Sequence, residues 1–170
     1  GNKAVRLRVH FVRLPVRFLC ALGVRNRYQQ RGHMADVRIT AGDLTFLARF
    51  ERERAPETCR YFESLLPYRT QFIHVRWSGE ACWVPLGEAT VPFSFENATS
   101  YPAPGQMIFY PGGYSETELL IAYGSVCFAS KLGQLAGNHF LTVIEGMERL
   151  PELGKRTLWQ GAQDVVMERV

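Results

Sequence analysis

Apolar and polar residues alternate along two neighbouring stretches of the chain. In residues 36–40 and 44–50 apolar side chains recur at every second position, and this period of two predicts β-strands that bury one face. A short turn sequence containing Gly42 lies between them, so we expect a β-hairpin. Residues 71–77 and 81–86 are rich in β-branched and aromatic side chains, and they predict a second hairpin.

Two other stretches have the spacing of an amphipathic helix. Pro56 suits the first turn of a helix, and apolar side chains follow it at helical spacing until Pro67 ends the pattern. Residues 147–159 predict a second helix. The proline-rich residues 87–105 predict a long loop, and loops of this length inside a compact domain often carry function. Further short strands are expected at residues 107–110, 118–123, 125–129, 139–144 and 164–170.

This succession of elements predicts a mainly β fold with two helices. We expect a closed β-barrel, because closure leaves no strand edge exposed. The apolar runs are far shorter than the roughly 20 residues that span a bilayer, so no membrane partner is expected. The four cysteines lie tens of residues apart without a CxxC pair. They predict neither a zinc site nor a disulfide framework, and they favour a cytoplasmic location.

Charge divides the 170 residues into two parts. The chain has a formal charge of +4, but residues 1–33 hold eight basic and no acidic residues, which leaves residues 34–170 with a charge of −4. Met34 begins the first stretch of ordinary composition, so we interpret residues 1–33 as a poorly ordered basic extension that arose from start assignment. A transit peptide or a basic arm for nucleic acid or lipid is the alternative. The acidic remainder predicts no nucleic-acid partner.

No metal and no cofactor is predicted. His74 and His139 lack carboxylates at metal-binding spacing. The glycine-containing residues 110–113 lack the lysine and the spacing of a phosphate-binding loop. Cys127 lies on an apolar strand and is interpreted as a buried, unreactive thiol.

Several motifs carry a resemblance to known proteins. Residues 55–62 (APETCRYF) and 143–148 (VIEGME) resemble the start of the first cyclophilin helix and a strand-to-helix junction of cyclophilins. Residues 96–102 (ENATSYP), 109–118 (FYPGGYSETE) and 137–140 (GNHF) are similar to a bacterial cyclophilin-like family known as a domain of unknown function. This resemblance covers nearly all of the chain from Met34 onward and implies a cyclophilin-like closed β-barrel. The family more distantly resembles cucumopine synthase, an opine-forming enzyme.

One departure from true cyclophilins bears on function. Prolyl isomerases have an arginine-bearing strand and an FMxQGGD segment, whereas this chain has QFIHVRW at residues 71–77 and CWVPLG at residues 82–87. Arg76 is the single candidate for the arginine, and the Gln-Gly-Gly-Asp run is missing. Fold alone does not transfer an activity, so we expect no prolyl isomerase activity.

The segment from residue 96 to residue 123 combines carboxylates, phenols and glycines, as a ligand pocket at a barrel mouth or side cleft would need. A carboxylate beside aromatic rings suits general acid–base chemistry, because its pKa tends to rise. The catalytic candidates are Glu116, Glu96, Tyr110 and His139, and the substrate-binding candidates are Tyr101, Tyr123, Arg76, Gly112, Gly113 and Asn138.

Three function classes stay open. By resemblance to cucumopine synthase, the barrel would be an enzyme that acts on amino-acid or keto-acid metabolites, with Glu116 or Glu96 moving a proton and Arg76 pairing with a carboxylate. The alternatives are a prolyl isomerase and a noncatalytic ligand-binding module. The enzyme and the ligand-binding module both predict a small-molecule ligand as partner. The oligomeric state is open, a homo-oligomer included. If these residues have a structural role instead, the glutamates face solvent and the tyrosines pack in the barrel wall.

Overall fold

The structure is a computed structural model that describes residues 34–170. The interpretation of residues 1–33 as a basic extension lies outside the described residues. The elements are β1 Val37–Ala41, β2 Leu44–Phe50, α1 Pro56–Ser64, β3 Tyr68–His74, β4 Gly79–Gly87, β5 Ala98–Thr99, β6 Gln106–Tyr110, β7 Thr117–Val126, β8 Ala129–Ser130, β9 Gly133–Gln134, β10 Gly137–Glu145, a 3-10 turn Met147–Arg149, α2 Leu150–Gln160 and β11 Gln163–Arg169.

Eight antiparallel strands form a closed barrel in the order β2, β1, β11, β3, β4, β7, β6 and β10, and β10 pairs back onto β2. The closing pair places Leu141 opposite Phe50, while β5 adds to the start of β10. Closure satisfies the backbone donors and acceptors that an open sheet would leave at its edges. The predicted mainly β fold with two helices and a cyclophilin-like closed β-barrel is thereby confirmed.

The interior of the barrel is filled with large apolar side chains. Phe46, Phe72, Phe109 and Phe140 are each at most 1% exposed, and Phe62 of α1 packs onto the same cluster with its ring centroid 5.0 Å from that of Phe140. A small barrel filled in this way has a packed core. A ligand site is therefore expected at a mouth or on the outer surface of the barrel.

A second apolar cluster covers the outer face of β4, β6 and β7. Its strand residues alternate along each strand with those of the interior core, and successive side chains of a strand point to opposite faces. Phe128 and Leu135, from the segment that holds β8 and β9, fold back onto this outer face. The members of the outer cluster are Ala81, Ile108, Tyr110, Leu120, Phe128 and Leu135.

The structure differs from the sequence-based expectation in several places, and the third strand is Tyr68–His74 where residues 71–77 were expected. The two strands expected at residues 118–123 and 125–129 form one longer strand, Thr117–Val126, through Gly124. The second helix begins with a 3-10 turn before α2. Cys127 is exposed, contrary to its interpretation as a buried thiol, because it follows the end of β7 in the covering segment. None of the helices in residues 34–170 has both the length and the apolar character that crossing a bilayer requires.

Candidate functional site

A buried carboxyl group lies on the outer wall of the barrel. Glu118 is the second residue of β7, opposite Pro85 of β4, and it is only 7% exposed. Burial, followed by the charge of the nearby Glu116 carboxylate, raises the pKa of Glu118 to about 7, although a hydrogen-bonding contribution from Trp83 acts in the opposite direction. The carboxyl group is therefore divided between its protonated and ionised forms near neutral pH.

Trp83 lies on the same face of the sheet, because it precedes Pro85 by two residues of β4. Its indole lowers the pKa of Glu118 through a hydrogen-bonding contribution, so Nε1 lies close to the carboxyl group, although the contact lies outside hydrogen-bond geometry. Within residues 34–170 the buried Nε1 has no hydrogen-bond partner. The Arg76 guanidinium lies over the ring, 5.6 Å from its centroid, at cation–π distance. A buried N–H without an acceptor is rare in folded proteins, and a bound ligand can supply the acceptor.

These side chains line a cavity of about 160 Å³, which we call the Glu118 cavity. Its walls come from the segment between β3 and β4, from the start of β7, and from the covering segment that holds β8. Two cationic side chains, Arg76 and Lys131, share it with two carboxyl groups, Glu116 and Glu118. The remaining lining residues are Val75, Trp77, Ser78, Trp83, Ser115, Ala129 and Ser130.

A wider groove of about 520 Å³ adjoins the cavity, and we call it the Gly112 groove. Residues 87–91 and 111–117 line it, and Ser115 and Glu116 line the cavity as well. Glu116 therefore stands between the two spaces.

The loop between β6 and β7 is held by buried groups. The Tyr110 hydroxyl accepts hydrogen bonds from the backbone N–H groups of Tyr114 and Ser115, at 3.1 and 3.3 Å. Thr117 Oγ1 donates to the carbonyl oxygen of Ala89 at 2.6 Å and joins the two sides of the groove. A Cβ on Gly112, whose φ is +87°, would lie 2.7 Å from this Oγ1, so a glycine is needed for the loop to approach β7.

Four of the ten candidate site residues line these two spaces. Arg76 lines the cavity, Gly112 and Gly113 line the groove, and Glu116 lines both. Tyr110 lies beside the groove without lining it, and its hydroxyl holds the loop between β6 and β7.

Glu96 and Asn138 lie elsewhere and are engaged in the structure of α1. Glu96 Oε1 accepts hydrogen bonds from the backbone N–H and the hydroxyl of Thr58 at 2.6 and 2.7 Å. The Asn138 amide accepts from the Glu96 N–H and donates to Thr58 Oγ1. The carboxylate thus serves an N–H of the first helical turn that has no partner within the helix.

His139 lies in a separate buried network. Its Nε2 is 2.8 Å from Thr142 Oγ1, which in turn donates to Glu51 at 2.6 Å. Because the single hydroxyl proton of Thr142 goes to Glu51, Nε2 must be the donor to Thr142. Burial lowers the pKa of His139, which favours this neutral tautomer.

The last two candidates are also outside the cavity and the groove. The Tyr123 hydroxyl is 2.7 Å from His74 Nε2, and its ring packs against Gly154 of α2. Tyr101 is 64% exposed and accepts a hydrogen bond from Gln134. The structure does not bring the ten candidates together, and a catalytic or binding role for the distant ones stays a prediction.

Three charged or aromatic residues of the cavity, Glu118, Trp83 and Lys131, were not among the candidates. Alternation along β4 and β7 could have placed Trp83 and Glu118 on one face. Residues 34–170 contain no group of three or more His, Cys, Asp or Glu side chains that could hold a metal ion.

Comparisons with known proteins agree on family and fold. The family model described as "Protein of unknown function (DUF3830)" matches residues 37–168, and a search among curated proteins gave no match. The structure of McbB in complex with tryptophan aligns with a TM-score of 0.60 at 20% identity over 78% of this chain, which spans 44% of the McbB chain. The solution structure of the hypothetical protein AF2241 from Archaeoglobus fulgidus aligns with a TM-score of 0.55 at 17% identity, over 84% of this chain and 99% of that one. At such identities the likeness shows the fold alone.

Proposed function

The chain belongs to the DUF3830 family, a family of unknown function as its motifs predicted, and we propose that it binds a small carboxylate-bearing metabolite in the Glu118 cavity and transfers a proton through Glu118. The observation that carries this proposal is the buried pair formed by Glu118 and Trp83. Both side chains line a cavity, and the indole N–H has no partner among the described residues. Buried polar groups are normally satisfied, so a ligand acceptor is the natural partner for this N–H.

The charges of the cavity suit an acid–base reaction. A carboxyl group with a pKa of about 7 can take up and return a proton near neutral pH. Glu116 was predicted to move the proton, but it is exposed, so Glu118 is better suited, and the charge of Glu116 supports it by raising its pKa. Arg76 lies in the same cavity, where its guanidinium can bind a ligand carboxylate in bidentate fashion.

Amino-acid and keto-acid metabolites are the substrate class that we favour. The fold is shared with McbB in complex with tryptophan, which supports a ligand of amino-acid type. Arg76 and the Trp83 N–H offer donors for a carboxylate and a carbonyl oxygen, the two groups that such metabolites combine. A cytoplasmic location, predicted from the cysteine pattern, belongs to the same proposal.

Binding can be tested by isothermal titration with L-tryptophan, other amino acids and 2-keto acids. Arg76→Ala should weaken a carboxylate ligand by about tenfold or more, because hydrogen bonds to charged groups contribute about 1.5–3 kcal/mol. Arg60→Ala is the matched control, since Arg60 is an exposed arginine of α1 paired with Glu57. Equal effects of the two substitutions, or no binding of any compound, would contradict the proposal.

Turnover separates an enzyme from a noncatalytic binding module. The wild-type protein is incubated with pairs of an amino acid and a 2-keto acid, and products are identified by mass spectrometry. Glu118→Gln should abolish product formation while ligand binding persists, because the amide cannot exchange a proton in this pH range. Binding without any product would identify a binding module, and unchanged turnover in Glu118→Gln would exclude Glu118 as the proton-transfer group.

A further inference from the structure

The Glu118 cavity alone offers about the space of one aromatic ring, which is less than a tryptophan-sized ligand needs. A cavity of about 150 Å³ accommodates benzene, and the Glu118 cavity has about 160 Å³. Small-molecule sites usually have about 300–1,000 Å³, and the cavity reaches this range only together with the Gly112 groove. Since Ser115 and Glu116 line both spaces, a larger ligand that enters the cavity can extend into the groove.

Charge is distributed unequally between the two spaces. The cavity contains both cations, Arg76 and Lys131, beside the carboxyl groups of Glu116 and Glu118. The groove has no lysine or arginine among its lining residues, and its charged side chains are Glu88 and Glu116. Neither the two cations nor the two groove carboxylates form an ion pair with another described residue, so all four charges are available to a ligand. Complementary charge determines orientation and specificity in binding.

We propose that the Gly112 groove is a second subsite that binds the cationic end of a zwitterionic ligand, while the carboxylate end lies beside Arg76 and Lys131 in the Glu118 cavity. This inference rests on the proposed function and deepens it, because it defines the substrate class. The ligand has a cationic amine separated by several bonds from a carboxylate. Glu88 and Glu116 bind the amine, and Glu116 faces both ends of the site.

Hydrogen bonds fix both sides of the groove. Thr117 Oγ1 ties the Ala89 carbonyl to β7, and the Tyr110 hydroxyl fixes the loop on the other side. Gly113 has no heavy atom within 4 Å of the position of a Cβ, so the ligand can approach the backbone there. Its carbonyl and N–H groups add neutral partners for the part of the ligand between the two charges.

A matched pair of compounds tests the subsite directly. The probes are 4-(3-aminopropyl)benzoate and 4-propylbenzoate, which share the carboxylate and a ring of the size that the cavity admits and differ in the amine. Affinities are measured by NMR titration of the full chain. The amine compound should bind about two- to fivefold more tightly, the range of ion pairs open to solvent. Glu88→Gln should reduce this preference, because only Glu116 is then left to bind the amine, and should leave the affinity for 4-propylbenzoate unchanged.

Glu57→Gln is the control, because Glu57 is an exposed glutamate of α1 outside both spaces. It should keep the preference for the amine. The same preference in Glu88→Gln as in wild type, or none in wild type, would overturn the subsite. If Arg76→Ala weakens both probes while Glu88→Gln changes neither, the proposed function stands and the subsite fails. If neither probe binds and Arg76→Ala has no effect on any carboxylate, the proposed function itself fails.

Discussion

Replacement of Glu118 by glutamine should make the protein more stable at neutral and alkaline pH, although it removes the proposed proton-transfer group. In the folded chain the pKa of Glu118 is about 7, against 4.5 for the free side chain. Between these values the folded state binds more protons than the unfolded state, so stability falls as pH rises. The favourable contribution of protonated Glu118 is complete below pH 4.5 and is lost as pH rises through 7.

The pKa difference fixes the magnitude of the effect. A rise from 4.5 to about 7 corresponds to about 3 kcal/mol of unfolding free energy, and solvent that enters the cavity reduces this value. Glutamine has nearly the shape of the protonated acid and does not ionise. The Glu118→Gln variant should therefore match wild type at pH 4 and exceed it by about 3 kcal/mol at most at pH 8.5.

Urea unfolding followed by circular dichroism, at half-unit steps from pH 4 to pH 8.5, measures this difference. All other titrating groups are common to both proteins and cancel. Glu57→Gln, which changes an exposed glutamate outside the cavity, is the control for the loss of one carboxylate. Glu116→Gln should shift the fall in stability to lower pH, because a like charge that raises the pKa of Glu118 is removed. A pH-independent difference for Glu118→Gln, or a variant less stable than wild type at pH 8.5, would refute this reasoning.

Three further predictions concern residues outside the cavity. Glu96→Ala should lower the free energy of unfolding by about 1–2 kcal/mol in urea titrations, because the first turn of α1 loses its acceptor, and it should leave ligand affinity unchanged. Gly154→Ala should lower it by about 1–3 kcal/mol despite the better helix propensity of alanine, because the added Cβ would lie 2.5 Å from ring carbons of Tyr123. Iodoacetamide at pH 8 should modify Cys127 but neither buried cysteine of residues 34–170 in the native protein, as mapped by peptide mass spectrometry.

The strands of the barrel were predictable because each depends on local sequence. The period of two in β1 and β2 needs only neighbouring residues, and the register Val37 to Ala48 follows from a short turn. Closure of the barrel does not follow from local sequence, because the pairing of Phe50 with Leu141 joins residues far apart in the chain. The expectation of a closed barrel therefore came from the general problem of strand edges and from the family resemblance.

The candidate site was predicted only in part, for a related reason. Arg76 and Glu116 were selected by residue type and do line the cavity. Glu118 and Trp83 were missed because their burial depends on the segment after β7, which folds back over the outer wall through Phe128. Alternation shows which side chains share a face, but it does not show that an outward face is covered.

Satisfied and unsatisfied hydrogen bonding separates the polar residues of structure from those proposed for function. Glu96 accepts two hydrogen bonds, and His139 donates within a network that ends at Glu51. Trp83 Nε1, by contrast, is the single buried side-chain nitrogen or oxygen of the described residues without a partner, and it lies beside a carboxyl group whose ionisation weakens the fold near neutral pH. Unsatisfied buried polar groups and strongly shifted pKa values are concentrated at functional sites. Trp83 and Glu118 line the same cavity. A ligand that accepts a hydrogen bond from the indole N–H would therefore lie beside Glu118, which can exchange a proton with it.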